Sequence, residues 1–197
     1  GMDYFSSWSY LSGGNFDGFP TVYYHVARLL AKFGGARRVP VSVGSRSHAS
    51  DLEVDALAGW NVAERKLYVM LYNFRNTADY RLPISLSVRL HLPQFAGKDV
   101  RMVRSPVDDT ANFFPEWVRD QDRLGFKNDG FKWSQDSGQV CIVDPEKQAL
   151  YDRELAPKYE ELAQLKATES VVRMGSADLE LTENLAGNSV LFLTLSE

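Results

Sequence analysis

The sequence has one cysteine, no long apolar run and no cluster of basic residues, and each of these absences excludes a class of protein. Cys141 alone cannot form an intramolecular disulfide, and it does not indicate a cellular compartment. No apolar stretch approaches the roughly 18 residues of a membrane span. The net charge of −4, without a basic cluster, argues against a nucleic-acid partner.

What the sequence does contain is a strong β-strand signal. Residues 81–92 alternate without a break, so that polar side chains share one face, and the other face holds Leu82, Ile84, Leu86, Val88, Leu90 and Leu92. Alternation of this length indicates a strand with one face on a core and one in water. Residues 66–74 are almost wholly apolar, which predicts a strand buried on both faces or deep within a sandwich core.

Further short strands are predicted around these two. They lie at 39–43, 52–58 and 100–104, and later at 140–143, 171–174, 177–182 and 189–195. Strands at this spacing, with turn residues between them, are typical of an antiparallel sandwich. Helices are predicted near 112–121, capped by Asn112, and near 146–166, interrupted at Pro157, with a long loop at 122–139. Residues 39–197 are therefore predicted to form a mainly β domain, an antiparallel β-sandwich with helical insertions.

The first 38 residues have a different pattern. An aromatic strand at 4–11 and a glycine loop at 12–18 precede a helix that starts at Pro20 and ends at Gly34. Its apolar stripe is Val22, Val26, Leu29, Leu30 and Phe33, with His25 at the edge as a packed histidine. One βα unit cannot bury itself, so it is predicted to dock on the rest of this chain or on a larger domain.

The sequence offers few candidates for chemistry. Asp51, Glu53 and Asp55 alternate on one strand face and could present carboxylates to calcium, but a solvated strand face is the simpler interpretation. The three histidines show no ligand spacing, and no phosphate-binding loop or serine-hydrolase elbow is present. No metal, no cofactor and no catalytic residue is therefore predicted within this chain.

Three stretches, taken in chain order, match one known family. F-P-T-V-Y-Y-H-V-A-R-L-L-A-K-F-G ends at residue 34; V-D-A-L-A-G-W-N (54–61) and L-Y-V-M-L-Y-N-F (67–74) follow, and then V-D-D-T-A-N-F-F-P-E-W (107–117). They resemble segments of family 39 glycoside hydrolases, the β-xylosidase and α-L-iduronidase group. The first resembles the last βα unit of the (β/α)8 barrel, and 54–61 with 67–74 resembles the opening hairpin of the sandwich. The last resembles a segment of that sandwich that contains Asp, Asn and Trp. The matching residues are Pro20, Tyr24, His25, Leu29, Leu30, Gly34, Asp108 or Asp109, Asn112 and Trp117.

The resemblance implies the C-terminal part of such an enzyme without its catalytic centre. Family 39 enzymes use two glutamates, one of them in an Asn-Glu pair, and this sequence has no Asn-Glu dipeptide. A retaining glycosidase needs both carboxyl groups, about 5–5.5 Å apart. The chain is then a non-catalytic module that supports an upstream catalytic barrel. Because barrel active sites lie on the βα loops, the residues expected to edge the substrate pocket are Trp8, Tyr10, Asn15 and Asp17.

Two other functions stay open at this level. One is a stand-alone carbohydrate-binding domain, for which the candidate stacking platforms are Trp8, Trp60, Trp117 and Trp133. A tryptophan is more often a core residue than a sugar platform. The other is a structural or oligomerisation domain that joins copies of the chain into a homo-oligomer. The sequence does not indicate which sugar is involved.

Overall fold

The computed structural model describes residues 19–44, 52–75, 80–125, 131–134, 139–142 and 144–197. The chain divides into two compact units. The helical unit comprises the residues up to Ala27 together with Asp109–Leu165, and the sandwich unit comprises Arg28–Asp108 and Lys166–Glu197. The strand predicted at 4–11 and the loop at 12–18 lie outside the described residues, and the predicted boundary at residue 38 stays a prediction.

The described part of the chain forms eleven strands, most of them in two antiparallel sheets. They are β1 (Arg37–Val39), β2 (Ser42–Gly44), β3 (Leu52–Asn61), β4 (Lys66–Arg75), β5 (Ile84–His91), β6 (Asp99–Val107), β7 (Phe131–Ser134), β8 (Gln139–Ile142), β9 (Thr168–Arg173), β10 (Asp178–Leu185) and β11 (Ser189–Ser196). In the sandwich unit, a six-stranded sheet has the order β1-β3-β4-β11-β6-β9 and a three-stranded sheet the order β10-β5-β2. One hydrophobic core fills the space between the inward faces of these sheets.

The alternation predicted around residue 86 is confirmed within β5. Ile84 is partly buried, the inward side chains of Leu86, Val88 and Leu90 are at most 1% exposed, and Leu92 directly after the strand is fully buried. The outward residues between them are exposed. Each buried aliphatic side chain of this kind contributes about 1.5–3 kcal/mol to the free energy of folding.

The predicted place of Leu82 in this core is wrong. Leu82 is 66% exposed, because β5 begins only at Ile84. Pro83 has no backbone N–H to donate to a strand ladder. The carbonyl oxygen of Leu82 instead accepts a hydrogen bond of 3.2 Å from the side chain of Asn73, which is completely buried. A side-chain hydrogen bond thus replaces strand pairing at this point.

β4 is buried on its inner face, and its outer face is covered at Tyr68 but exposed at Phe74, so the predicted burial on both faces holds only for part of the strand. Its inward residues Leu67, Val69 and Leu71 are fully buried in the core. On the outer face, the ring of Phe33 packs against Tyr68 with centroids 5.9 Å apart. Phe33 ends a 3-10 turn (Ala31–Phe33) that continues α1 (Val22–Leu30). Gly59 leaves room for this packing, since a Cβ there would lie 3.1 Å from the Phe33 ring.

The helical unit holds α2 (Phe114–Leu124), α3 (Pro145–Leu150) and α4 (Ala156–Leu162), with the hairpin of β7 and β8. The predicted cap is displaced by one residue, because the N-cap of α2 is Phe113 and has no side-chain cap, while Asn112 before it accepts a hydrogen bond of 3.1 Å at Oδ1 from the N–H of Phe114. The loop predicted over 122–139 is wrong in part, since α2 runs to Leu124 and β7 is a strand. Within the described residues, no helix combines the length and apolar character needed to cross a membrane.

The interruption predicted at Pro157 is a turn of π-helix. Residues Tyr151–Leu155 form this turn and join α3 to α4, with Pro157 in the first turn of α4. Proline lacks an N–H and clashes with the carbonyl group four residues earlier. A wider turn before it relieves this clash, so the helix continues instead of ending.

Leu86→Asp is expected to unfold the sandwich unit. The substitution places a charge in the core and should lower the free energy of unfolding by more than about 4 kcal/mol. Leu82→Asp is the matched control, because Leu82 is exposed, and it should change the stability by less than about 0.5 kcal/mol. Urea denaturation followed by circular dichroism measures both. Equal effects of the two substitutions would contradict the described register of β5.

Candidate functional site

The residues predicted to edge a sugar pocket all precede the described part of the chain. Trp8, Tyr10, Asn15 and Asp17 lie outside the described residues, which begin at Phe19. Their role therefore stays a prediction. The candidate site built here comes from the helical unit, where ionisable and aromatic side chains are buried together.

An aromatic cluster forms the core of the helical unit. Its buried residues are Phe113, Trp117, Tyr151, Leu155, Tyr159 and Ala163. Trp117 meets the ring of Tyr159 edge-on, with centroids 5.9 Å apart. Phe19 packs in the same way on Phe113, at 5.7 Å. The spacing of three to four residues along α2 and α4 brings these rings onto facing sides of the helices.

A buried carboxylate, Asp120, lies beside these rings and is bound from several sides. Asp120 is only 3% exposed. Its Oδ2 accepts hydrogen bonds from Lys158 Nζ at 2.9 Å and from the hydroxyl of Tyr159 at 2.8 Å. Its Oδ1 accepts from the guanidinium of Arg123 at 2.9 Å. Lys158 also donates to Oε2 of Glu116 at 2.8 Å, so one ammonium group bridges two carboxylates of α2.

The ionisation of these groups follows from the hydrogen bonds. Burial alone would raise the pKa of Asp120, but the hydrogen bonds from Lys158, Tyr159 and Arg123 outweigh burial, and the pKa of Asp120 is lowered. The hydrogen bond from Lys158 lowers the pKa of Glu116 and raises the pKa of Lys158. Burial and the hydrogen bond to Asp120 raise the pKa of the Tyr159 phenol. Two anions, one ammonium and one neutral phenol are thus the stable states at neutral pH.

This set of charges is suited to holding helices together and unsuited to acid–base catalysis. A glycosidase acid must keep its proton near neutral pH, which requires a raised pKa. Both carboxylates here are held as anions by neighbouring cations. The salt bridges of Lys158 to Glu116 and Asp120 link α4 to α2. We therefore assign this cluster a structural role.

The histidine of the predicted helix stripe belongs to the same unit. His25 is 2% exposed, which confirms its prediction as a packed residue. Its Nε2 lies 2.7 Å from the carbonyl oxygen of Ala163. A carbonyl oxygen can only accept, so Nε2 carries the proton. This hydrogen bond ties α1 to the end of α4.

A second ionic cluster surrounds the turn between β3 and β4 in the sandwich unit. Glu64 accepts hydrogen bonds from the hydroxyl of Tyr68 at 2.7 Å and from Lys66 Nζ at 3.2 Å. Burial, aided by Glu64, raises the pKa of Tyr68 to about 12. The hydrogen bonds from Tyr68 and Lys66 lower the pKa of Glu64. This carboxylate is also held as an anion and has no raised pKa for use as an acid.

The tryptophans are poorly placed as sugar platforms where the structure describes them. Trp117 is only 5% exposed. Trp60 is half-buried and packs edge-on against Phe95, with centroids 5.5 Å apart. The side chains of Trp8 and Trp133 lie outside the described residues. Burial of Trp117 favours the core role that tryptophans usually have.

One open cleft of about 460 Å³ is present near the edge of the six-stranded sheet. Its lining residues are Arg38, Val39, Pro40, Val41, Asp55 and Ala56. Of the described residues that line it, only Asp55 is a carboxylate, whereas glycoside hydrolysis requires two. Among the described residues no group of three His, Cys, Asp or Glu side chains could hold a metal ion. Asp51 and the side chain of Glu53, from the acidic strand face, are not among the described residues.

No protein-family model and no curated protein sequence matches this chain. Among solved structures, the chain is similar to the GH39 enzyme from Xanthomonas axonopodis pv. citri, with a TM-score of 0.55, 11% identity, and coverage of 93% of this chain and 33% of that one. It is also similar to a bacterial orthologue of human α-L-iduronidase, with a TM-score of 0.47, 9% identity, and coverage of 76% and 23%.

The similarity to the GH39 enzyme shows a shared fold. Together with the antiparallel sheets, it confirms the predicted mainly β fold class with helical insertions. The chain spans only 33% of the length of that enzyme. Activity and substrate are therefore matters for proposal.

Sequence reasoning missed the cluster around Asp120. One signal was present: Glu116 and Asp120 are four residues apart within the predicted helix, which places both carboxylates on one face. The cation between them, Lys158, is separated from Asp120 by 38 residues. No local pattern connects a lysine to a carboxylate at that distance, so only the packing of α4 on α2 reveals the pair.

Asp120→Asn is expected to destabilise the protein at pH 7. It leaves Lys158 and Arg123 facing a neutral amide, at a cost of about 2–4 kcal/mol in the free energy of unfolding. Because the pKa of Asp120 is lower in the folded state, its contribution is present above the unfolded-state pKa and is lost as pH falls through the folded-state pKa. The difference between wild type and variant should therefore shrink below about pH 4.

Denaturant titrations at several pH values measure this difference. The exposed Glu160, on α4 beside Tyr159, provides the control Glu160→Gln, which removes the same charge. That control should change the stability by less than about 0.5 kcal/mol at any pH. A stability difference for Asp120→Asn that stays constant down to pH 2 would contradict the lowered pKa.

Proposed function

We propose that this chain is a non-catalytic, C-terminal β-sandwich module of a glycoside hydrolase that acts on xyloside-like glycosides. The observation that carries the proposal is the difference between the share of this chain and the share of the GH39 enzyme that the structural match covers. The fold likeness to the GH39 enzyme takes in 93% of this chain but leaves two thirds of that enzyme unmatched. A catalytic barrel would lie in the unmatched part, upstream of this module.

The charges of the described residues support a non-catalytic role. The buried carboxylate Asp120 and its neighbour Glu116 have lowered pKa values, and so has Glu64 in the sandwich unit. None of these three groups is suited to donate a proton at neutral pH. In the proposed enzyme, the acid/base and the nucleophile are supplied by the barrel.

The module has two proposed tasks. The first is to brace the barrel through the helical segment from Pro20 to Phe33. The second is to edge the sugar pocket with Trp8 and Tyr10 of the predicted strand and with Asn15 and Asp17 of the loop that follows it, because barrel active sites lie where strands lead into βα loops.

The chain by itself is expected not to hydrolyse aryl β-xylosides or other aryl glycosides. Hydrolysis is followed by release of the coloured phenol. Turnover that a single substitution within this chain abolishes, with the fold intact, would overturn the proposal.

The reading frame is expected to continue upstream by roughly 250 residues, enough for a barrel, and to encode an Asn-Glu pair and a later glutamate. A frame that begins at Met2 would equally contradict the proposal.

In the protein expressed from the whole frame, Trp8→Ala tests the pocket edge. Loss of one aromatic surface under a sugar ring is expected to raise KM for an aryl xyloside up to about tenfold. Phe74→Ala is the control, because Phe74 is a 45% exposed aromatic residue of the sandwich unit. It should leave KM unchanged. Equal KM values for the wild type and Trp8→Ala would contradict the predicted position of Trp8 at the edge of the pocket.

A further inference from the structure

The six-stranded sheet ends in a strand that is open to pairing. β9 pairs with β6 on one side, and no strand of the described chain pairs with its other side. The opposite end of the sheet is protected by its shortness, since β1 has three residues. β9 has six. An exposed edge strand of this length presents unpaired backbone donors and acceptors that can recruit another strand.

The centre of β9 carries no charge that would protect this edge. Glu169, Val171 and Arg173 project to the outer face of the sheet, and Val171 is 67% exposed. Natural edge strands usually carry a lysine, a proline or a bulge at such a central position. A β-branched residue there is instead typical of a position that packs against a cross-strand neighbour.

We propose that two copies of this chain pair through β9 in antiparallel fashion, with Val171 of each copy opposite Val171 of the other. Residues opposite each other in an antiparallel pair lie on the same face of the sheet. The outer face of one copy must therefore continue as the outer face of the second. In this register Glu169 lies opposite Arg173 of the second copy, and Arg173 lies opposite Glu169. The interface is thus self-complementary under a two-fold axis.

The neighbouring registers are less favourable. Sliding the pair by two residues sets Glu169 or Arg173 opposite Val171 and so loses both charge pairs, and sliding it by four brings Glu169 opposite Glu169 or Arg173 opposite Arg173. Like charges directly opposite each other destabilise a strand pair. A slip by one residue sets the outer face of one copy against the inner face of the other. Charge and pleat therefore select the same register.

Existing ion pairs on β6 extend this pattern across the sheet. Arg101 contacts Glu169 through two hydrogen bonds, of 2.5 and 2.6 Å, and Asp99 contacts Arg173 at 3.2 Å. The side chains of Glu169 and Arg173 remain 50% and 66% exposed, which leaves room for a second partner. In the dimer, Arg101, Glu169, Arg173 of the second copy and its Asp99 would alternate in sign.

Other open edges lack this complementarity. β10, at the end of the three-stranded sheet, has eight residues, and its outward side chains include Asp178 and Glu180 but no cation. Pairing two copies of β10 would bring acidic strands together. The charge pattern therefore favours β9 as the interface and a second copy of this chain as its partner.

Sedimentation velocity at concentrations from roughly 10 µM to 1 mM is expected to show a reversible dimer, since a six-residue strand gives an interface at the weak end of the known range. Val171→Lys sets lysine opposite lysine and should raise the dimer Kd by about tenfold or more. Val62→Lys is the matched control, because Val62 is 57% exposed in the turn between β3 and β4. It should leave Kd unchanged.

A charge exchange tests the register itself. Glu169→Arg and Arg173→Glu should each weaken the homodimer, because each sets like charges opposite each other. A mixture of the two variants should restore dimerisation, since the two opposed pairs in the heterodimer, 169 with 173 in both directions, again join opposite charges. Circular dichroism before mixing confirms that both variants are folded. A monomer at every concentration, a dimer that Val171→Lys leaves intact, or a mixture no tighter than its components would each overturn the proposal.

Discussion

The last strand of the chain is the element on which the sandwich unit depends. β11 lies between β4 and β6, with Leu193 opposite Val69 on one side and opposite Arg104 on the other. Within the described sheet, the two halves are joined only through this strand. A slip of one residue would move its core leucines to the outer face, so burial fixes both registers at once. These pairings join residues far apart in sequence, which is typical of slowly folding β proteins.

The strands with a regular hydrophobic pattern could be predicted from sequence, and the exceptions have identifiable physical causes. β5 follows its alternation, but Leu82 lies outside the core, and its carbonyl oxygen accepts a hydrogen bond from the buried side-chain amide of Asn73. Pro157 signalled an interruption of the helix, yet composition cannot distinguish a break from a π turn. The site was less predictable. Asp120 depends on Lys158 from another helix, and such pairs become visible only when the helices are packed.

The buried carboxylate of the helical unit differs from a catalytic acid in the charges that surround it. A glycosidase keeps one carboxyl group protonated by isolating it from cations. Asp120 is buried as well, but Arg123 and Lys158 contact it, and the hydrogen bonds from Arg123, Lys158 and Tyr159 all favour the anion. Burial can raise the pKa of a carboxyl group and make it an acid. At Asp120 the buried group instead stabilises the packing of α4 on α2. This contrast is the reason for assigning the Asp120 cluster a structural role.

The path of the chain between β6 and β9 has a consequence for how such a protein can change. The two strands are antiparallel neighbours, with Arg104 opposite Thr168. The chain therefore leaves the sheet and returns to it at nearly the same place, and for the sheet the whole of Asp109–Leu165 is the loop of a hairpin. Closing a loop costs only about 0.6 kcal/mol more for each doubling of its length. Segments of very different size can therefore be exchanged at this point in evolution while the strands on either side keep their pairing.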